Sequence, residues 1–115
     1  MNAPEKTTEQ RLYDAATAML PQLRERVQET AALGQLPEAT IAAMQEAGYI
    51  RIMQPARYSG LEQDPEEFFR EQMIHPEACM STAWELGVVA SHNLQLALFD
   101  DAAQKDVWGE DDRTL

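Results

Sequence analysis

The sequence predicts an all-α fold. Three observations carry that reading. Apolar residues recur at intervals of three and four in successive blocks, the period of one helix face. Helix start and stop residues (Thr, Asp or Pro in front, Gly behind) bracket those blocks. No clear run of alternating apolar and polar residues marks a strand. About five helical segments follow, without an internal repeat.

Residues 1–6 read as a loose tail. Thr7 followed by Gln10 has the spacing of a capping box, in which each side chain satisfies the other's backbone donor. Leu12, Ala16, Met19, Leu23 and Val27 then mark one helix face. Pro21 either kinks this helix or opens a second, because its ring clashes with the preceding turn. Gly34 suits a C-terminal cap. Leu36-Pro37 restarts a helix with Pro37 at its first position, Ile41, Met44 and Ala47 on one side and Gly48 at its end. Tyr49 to Met53 is a short apolar stretch, extended or one helical turn. QPARYSG, from Gln54 to Gly60, is a loop by composition.

Asp64-Pro65-Glu66-Glu67 starts the next helix: Asp64 caps, Pro65 takes the first position, and Glu67 reaches back to the cap amide. Phe68, Phe69, Met73 and Ile74 are its expected buried side. Glu66, Glu67 and Glu71, near Arg70, are its expected solvated face. His75-Pro76 ends or kinks it. Between Cys79 and Phe99 the only ionisable groups are Cys79, Glu85 and His92. Small residues there mix with Trp84, Leu86, Val88, Val89 and Leu94, as in a central helix packed on several sides. Asp100 or Asp101 caps a last short helix bearing Val107 and Trp108, and Gly109 terminates it.

The 115 residues allow one domain. Nine Lys and Arg stand against 20 Asp and Glu, a net charge of -11. That balance argues against a nucleic-acid partner and against adhesion to anionic membranes. The single cysteine, Cys79, excludes an intramolecular disulfide and a multi-cysteine zinc site. No apolar run approaches the ~20 residues of a membrane helix, and the N-terminus lacks the basic-then-apolar plan of a signal peptide. A cytoplasmic protein without a bound metal is expected.

His92 lies in the least polar segment, where an imidazole must be hydrogen-bonded or face a cavity; it is either a satisfied core histidine or a proton relay. His75, before a proline, reads as a helix-terminal surface residue. Ser81-Thr82-Ala83-Trp84 offers two hydroxyls beside an indole: a helix cap with a core tryptophan, or ligands and a wall for a planar cofactor. Cys79 reads as a small buried hydrophobe. GxGxxG, P-loop, HExxH and ExxH patterns are absent from the sequence.

LPEATIAAMQEAGYIRIMQPARYSG, from Leu36 to Gly60, resembles the start of the acyl-CoA dehydrogenase-like flavoproteins. DPEEFF, ACMSTAW and GVVASHNLQLALFDDAAQKDVWGED resemble the branch of two-component flavin-dependent aromatic hydroxylases. The resemblance implies that residues 7–112 are the helical N-terminal domain of the acyl-CoA dehydrogenase fold, with 113–115 a link towards a missing middle domain. It implies reduced FMN or FAD, delivered by a separate NAD(P)H-dependent flavin reductase, an aromatic small-molecule substrate hydroxylated beside its OH, and a homo-oligomer. That oligomer would be a tetramer for the whole protein and a dimer for the short chain. His92 matches a substrate-facing histidine of that family, and Ser81 and Trp84 match its flavin-side Ser/Trp motif. The short chain alone is expected to be inactive and to bind no flavin. Ile74-His75-Pro76-Glu77 and Met80 depart from the family pattern of small and apolar residues. The alternatives are an acyl-CoA dehydrogenase or related flavin oxidoreductase, and a stand-alone helical homodimer with a structural or interaction role.

Overall fold

The computed structural model describes residues 3–113. Met1 and Asn2 of the expected tail, and Thr114 and Leu115 of the expected link, lie outside the described residues. Six α-helices follow in order: α1 (Thr8–Glu25), α2 (Val27–Leu33), α3 (Glu38–Ala47), α4 (Pro65–Gln72), α5 (Met80–Ala97) and α6 (Asp101–Trp108). Two 3-10 turns lie at Ala56–Tyr58 and His75–Glu77. No strand occurs among the described residues, in keeping with the all-α reading. No helix among them is long and apolar enough to cross a membrane.

The capping box of α1 forms as its spacing predicts. Gln10 N donates to Thr7 Oγ1 at 3.2 Å, and Thr7 N donates to Gln10 Oε1 at 3.1 Å. The helix runs through Pro21 and breaks at Arg26, where φ is -92° and ψ is 2°. Its buried stripe is Leu12, Ala16, Leu20 and Leu23. Met19 is only half-buried and Val27, beyond the break, is exposed. Gly34 and Gly48 close α2 and α3 with φ of 66° and 84°, left-handed conformations that favour glycine. Pro37 is the N-cap of α3, one position ahead of its expected place.

Tyr49 to Met53 folds as turns, with Arg51 N donating to Gly48 O and Ile52 N to Tyr49 O. Tyr49, Ile50, Ile52 and Met53 are buried and join Leu12, Leu23, Phe68 and Leu86 in one core. Asn93 of α5 pins this segment by donating Nδ2 to Ile50 O at 2.8 Å.

The first turn of α4 departs from expectation. Pro65 opens the helix after Asp64, but the Asp64 side chain makes no capping bond. Glu67 turns inward and is buried instead of reaching the cap amide. Phe68 is buried, Ile74 half-buried, and Phe69 and Met73 are exposed. Helical phase explains this. Residues 67, 68, 71 and 75 share a narrow arc, and positions 69 and 73 fall on another. The inward arc therefore carries two glutamates and a histidine.

In α5, Thr82, Ala83, Leu86, Gly87, Ala90 and Asn93 are buried. The expected packing on several sides is realised on this side alone, and the opposite side of the helix is exposed. The 3-10 turn at His75–Glu77 and α6 pack against α5. Asp100 sits at the N-cap of α6 without a side-chain bond, Trp108 is buried and Val107 is exposed. Gln104 donates Nε2 to Ala97 O at 3.1 Å and Phe99 O at 2.8 Å, closing the C-terminus of α5. A Cβ at Gly60 would lie 1.9 Å from Gln54 O, so only glycine fits that turn.

Candidate functional site

Ser81, Trp84, Val88 and His92 step along α5 at three- and four-residue intervals and so share its exposed side. Trp84 is 71% exposed, which excludes a core role within this chain. With Val88 and Ser91, and with Phe69 and Gln72 of α4, it lines a shallow groove of about 250 Å³. Gln72 braces the helix pair beneath it. Tyr49 OH donates to Gln72 Oε1, and Gln72 Nε2 donates to Ala83 O at 2.7 Å. Gly87 makes room for this brace, because a Cβ there would lie 2.4 Å from Gln72 Nε2.

His92 is exposed, and its Nδ1 lies 2.7 Å from Val88 O. A carbonyl only accepts, so Nδ1 carries the proton in the neutral ring and Nε2 is its basic nitrogen. His92 sits one turn beyond Val88, at the edge of the groove rather than in its lining. Ser81 lines a different recess of about 300 Å³, together with Val27, Thr30, Cys79 and Glu85. The three candidate residues thus share a helix face but not one cavity. Cys79 is buried at the N-cap of α5 and accepts from Thr82 Oγ1 at 3.3 Å.

Two features of the molecule escaped the sequence reading. Phe69, expected in the core, is exposed and forms part of the groove wall. The second feature is a buried polar cluster. His75 is 1% exposed, not a surface residue, and Glu71 is likewise 1% exposed, not solvated. Burial pushes the Glu71 carboxyl up to about 7, helped by the charge of Glu67 and a hydrogen bond with it. Burial pushes the His75 imidazole down to about 4 and raises the Tyr49 phenol. The detectable signal was the four-residue step 67–71–75, in phase with Phe68.

The α5 face carries Glu85 as its one fixed charge, with no Lys or Arg between Cys79 and Phe99. It can wall a planar ring and present one imidazole; it has no cation with which to hold a phosphate.

No family model matches the chain. Individual proteins do. The chain is 44% identical over 94 residues to the oxygenase subunit HsaA of a flavin-dependent monooxygenase from Rhodococcus jostii, covering 82% of this chain and 25% of that protein. It is 38% identical over 114 residues to the corresponding subunit from Mycobacterium tuberculosis, covering 99% of this chain and 29% of that one. The crystal structure of the HsaA monooxygenase from M. tuberculosis superposes with a TM-score of 0.88 at 40% identity, over 92% of this chain and 28% of the other. The chain matches the N-terminal region of two-component flavin-dependent aromatic hydroxylases. Its six helices are those of the N-terminal helical region of that acyl-CoA dehydrogenase-like fold. The chain spans little more than a quarter of the length of these hydroxylases.

Proposed function

We propose that this chain supplies one wall of the active site of a reduced-flavin-dependent monooxygenase that hydroxylates a phenolic or other aromatic substrate, and that it is inactive alone. The observation that carries the reading is the exposed α5 face, with Trp84 and His92 on it, in a chain whose fold follows the N-terminal quarter of such oxygenases. When bound, reduced FMN or FAD supplies the oxygen-activating chemistry.

The chain's own residues have narrower tasks. Trp84 and Phe69 present apolar surface against a planar ring and exclude water from it. His92 accepts a proton at Nε2 from the substrate's phenolic oxygen, while its Nδ1–H bond to Val88 O fixes the ring's tautomer. Ser81, in the neighbouring recess, offers a hydroxyl to the flavin side. The absence of cationic side chains on α5 means that a flavin phosphate would be held by groups outside this face. The partners are a separate NAD(P)H-dependent flavin reductase and further copies of the oxygenase, in the cytoplasm.

Two preparations test this reading: the isolated chain, and a graft in which it replaces the equivalent region of the M. tuberculosis oxygenase. Each is supplied with a flavin reductase, NADH and a panel of phenols. The isolated chain is expected to yield no hydroxylated product, and the graft to yield it. Turnover by the isolated chain, or a folded graft without turnover, contradicts the reading.

A further inference from the structure

Glu71 and His75 lie beneath α1, where Leu12, Ala16 and Met19 cover them and Tyr49 closes the side. The space among these groups is about 10 Å³, enough for a single water molecule at most. Both ring nitrogens of His75 lack a protein partner, as do Oε1 of Glu67 and Oε1 of Glu71. Glu67 and Glu71 are one helical turn apart and both buried. Among the described residues Glu71 makes no ion pair. Arg70 reaches Glu66 at 3.3 Å and Glu67 at 3.9 Å.

Among the described residues the one cation that acts on Glu71 is Arg70, which favours its charged form from a distance while pairing with Glu66 and Glu67, and burial with the Glu67 charge outweighs it. From α1, Glu9, Tyr13 and Asp14 line the outer pocket shared with Glu67 and Arg70, and Lys6 there is paired with Asp14. From the turn after α3 comes Tyr49, and from α4 come Glu66, Glu67 and Arg70. Towards α5, Gln72 of α4 donates to the Ala83 carbonyl, and both groups are neutral. A charged Glu71 would thus sit beside another carboxylate under an apolar helix, a costly arrangement.

We propose that the Glu67–Glu71–His75 cluster is a proton-dependent latch for α1: the helix seats fully while Glu71 is protonated and hydrogen-bonded to Glu67, and it loosens when that proton leaves. In the folded chain Glu71 keeps its proton to about pH 7; in the unfolded chain it loses it in the ordinary carboxylate range. At Glu71 the folded state therefore binds an extra proton between those values, and the Glu71 contribution to the seating of α1 weakens as pH rises through them, against the opposite contribution of His75 below about pH 6.5.

Two measurements on the 115-residue chain test the latch. Carbon-detected NMR of the Glu71 carboxyl should show a midpoint near neutrality; a midpoint in the ordinary carboxylate range overturns the proposal. Hydrogen exchange, corrected for the intrinsic rate, is compared between wild type and Glu71→Gln from about pH 5 to about pH 8. The ratio of wild-type to variant protection in α1 is expected to fall by roughly tenfold across this interval, while the same ratio in α6 stays level; the opposite shift of His75 acts in both proteins and cancels. An α1 ratio that does not change with pH, or one that changes equally in α6, overturns it. If Glu71→Gln fails to fold, the wild-type carboxyl titration decides.

Discussion

His75 and Glu71 are shifted in opposite directions by the same cause, removal from water. For His75 the folded value is about 4 against an ordinary 6.5, so between them the unfolded chain holds the extra proton. Its contribution to stability is complete above about pH 6.5 and is lost as pH falls towards 4. Thermal unfolding should therefore show His75→Leu gaining on wild type across that acid interval, by roughly 2–3 kcal/mol in all. Where the two intervals overlap, folding moves one proton off His75 and one onto Glu71, and their combined effect on the pH slope is near zero. Single variants expose what the wild-type curve hides. None of this was legible at the level of residue type, because His before Pro and Glu on a short helix are surface residues in most settings. Only the phase of positions 67, 71 and 75 against Phe68 carried the information. His92, Trp84 and Ser81 were easier to read: a three- and four-residue step puts them on one face whichever way that face turns.

At the scale of elements, the α4–α5 pair depends on the brace from Tyr49 through Gln72 to the Ala83 carbonyl. A methyl at position 87 collides with Gln72 Nε2, so Gly87→Ala should destabilise the chain by about 1–2 kcal/mol as that bond is displaced. With Gln72→Ala the obstruction is gone, and the same substitution should become stabilising by up to about 1 kcal/mol, since Ala is the better helix former. A double-mutant cycle in denaturant reads this reversal of sign. In α1, Pro21 is exposed inside a continuous helix and lacks the donor that the ladder needs. Pro21→Ala should raise stability by about 1–3 kcal/mol, seen as a higher midpoint in urea. The helix starts and stops were legible because caps and glycines act locally: the Thr7–Gln10 box, Gly34 and Gly48 fall where their chemistry requires. The orientation of α5 was not. Apolar residues occur on both its sides, and periodicity cannot say which side meets this chain's core.

The whole molecule measures 48 × 41 × 23 Å, about two helix diameters thick. A slab this thin buries one side of a long helix and leaves the other outside. Hence Phe69, Met73, Met80, Trp84 and Val88 are exposed together in a chain of net charge -11. Because Trp84 adds nothing to the core, Trp84→Lys should change stability by no more than about 0.5 kcal/mol, while lowering the fluorescence of an apolar dye bound to this face. The chain matches little more than a quarter of each hydroxylase, and in the assembly proposed above the exposed face is the side that would meet flavin and substrate. The most direct test is the hydroxylation rate of the M. tuberculosis oxygenase graft with and without His92→Ala, at equal flavin loading, with Ser91→Ala as a neighbouring control. Removing a proton acceptor at the substrate should slow hydroxylation by roughly 10²-fold or more, with Ser91→Ala near the unsubstituted graft. An unchanged rate in His92→Ala would contradict the assignment of this face to the active site.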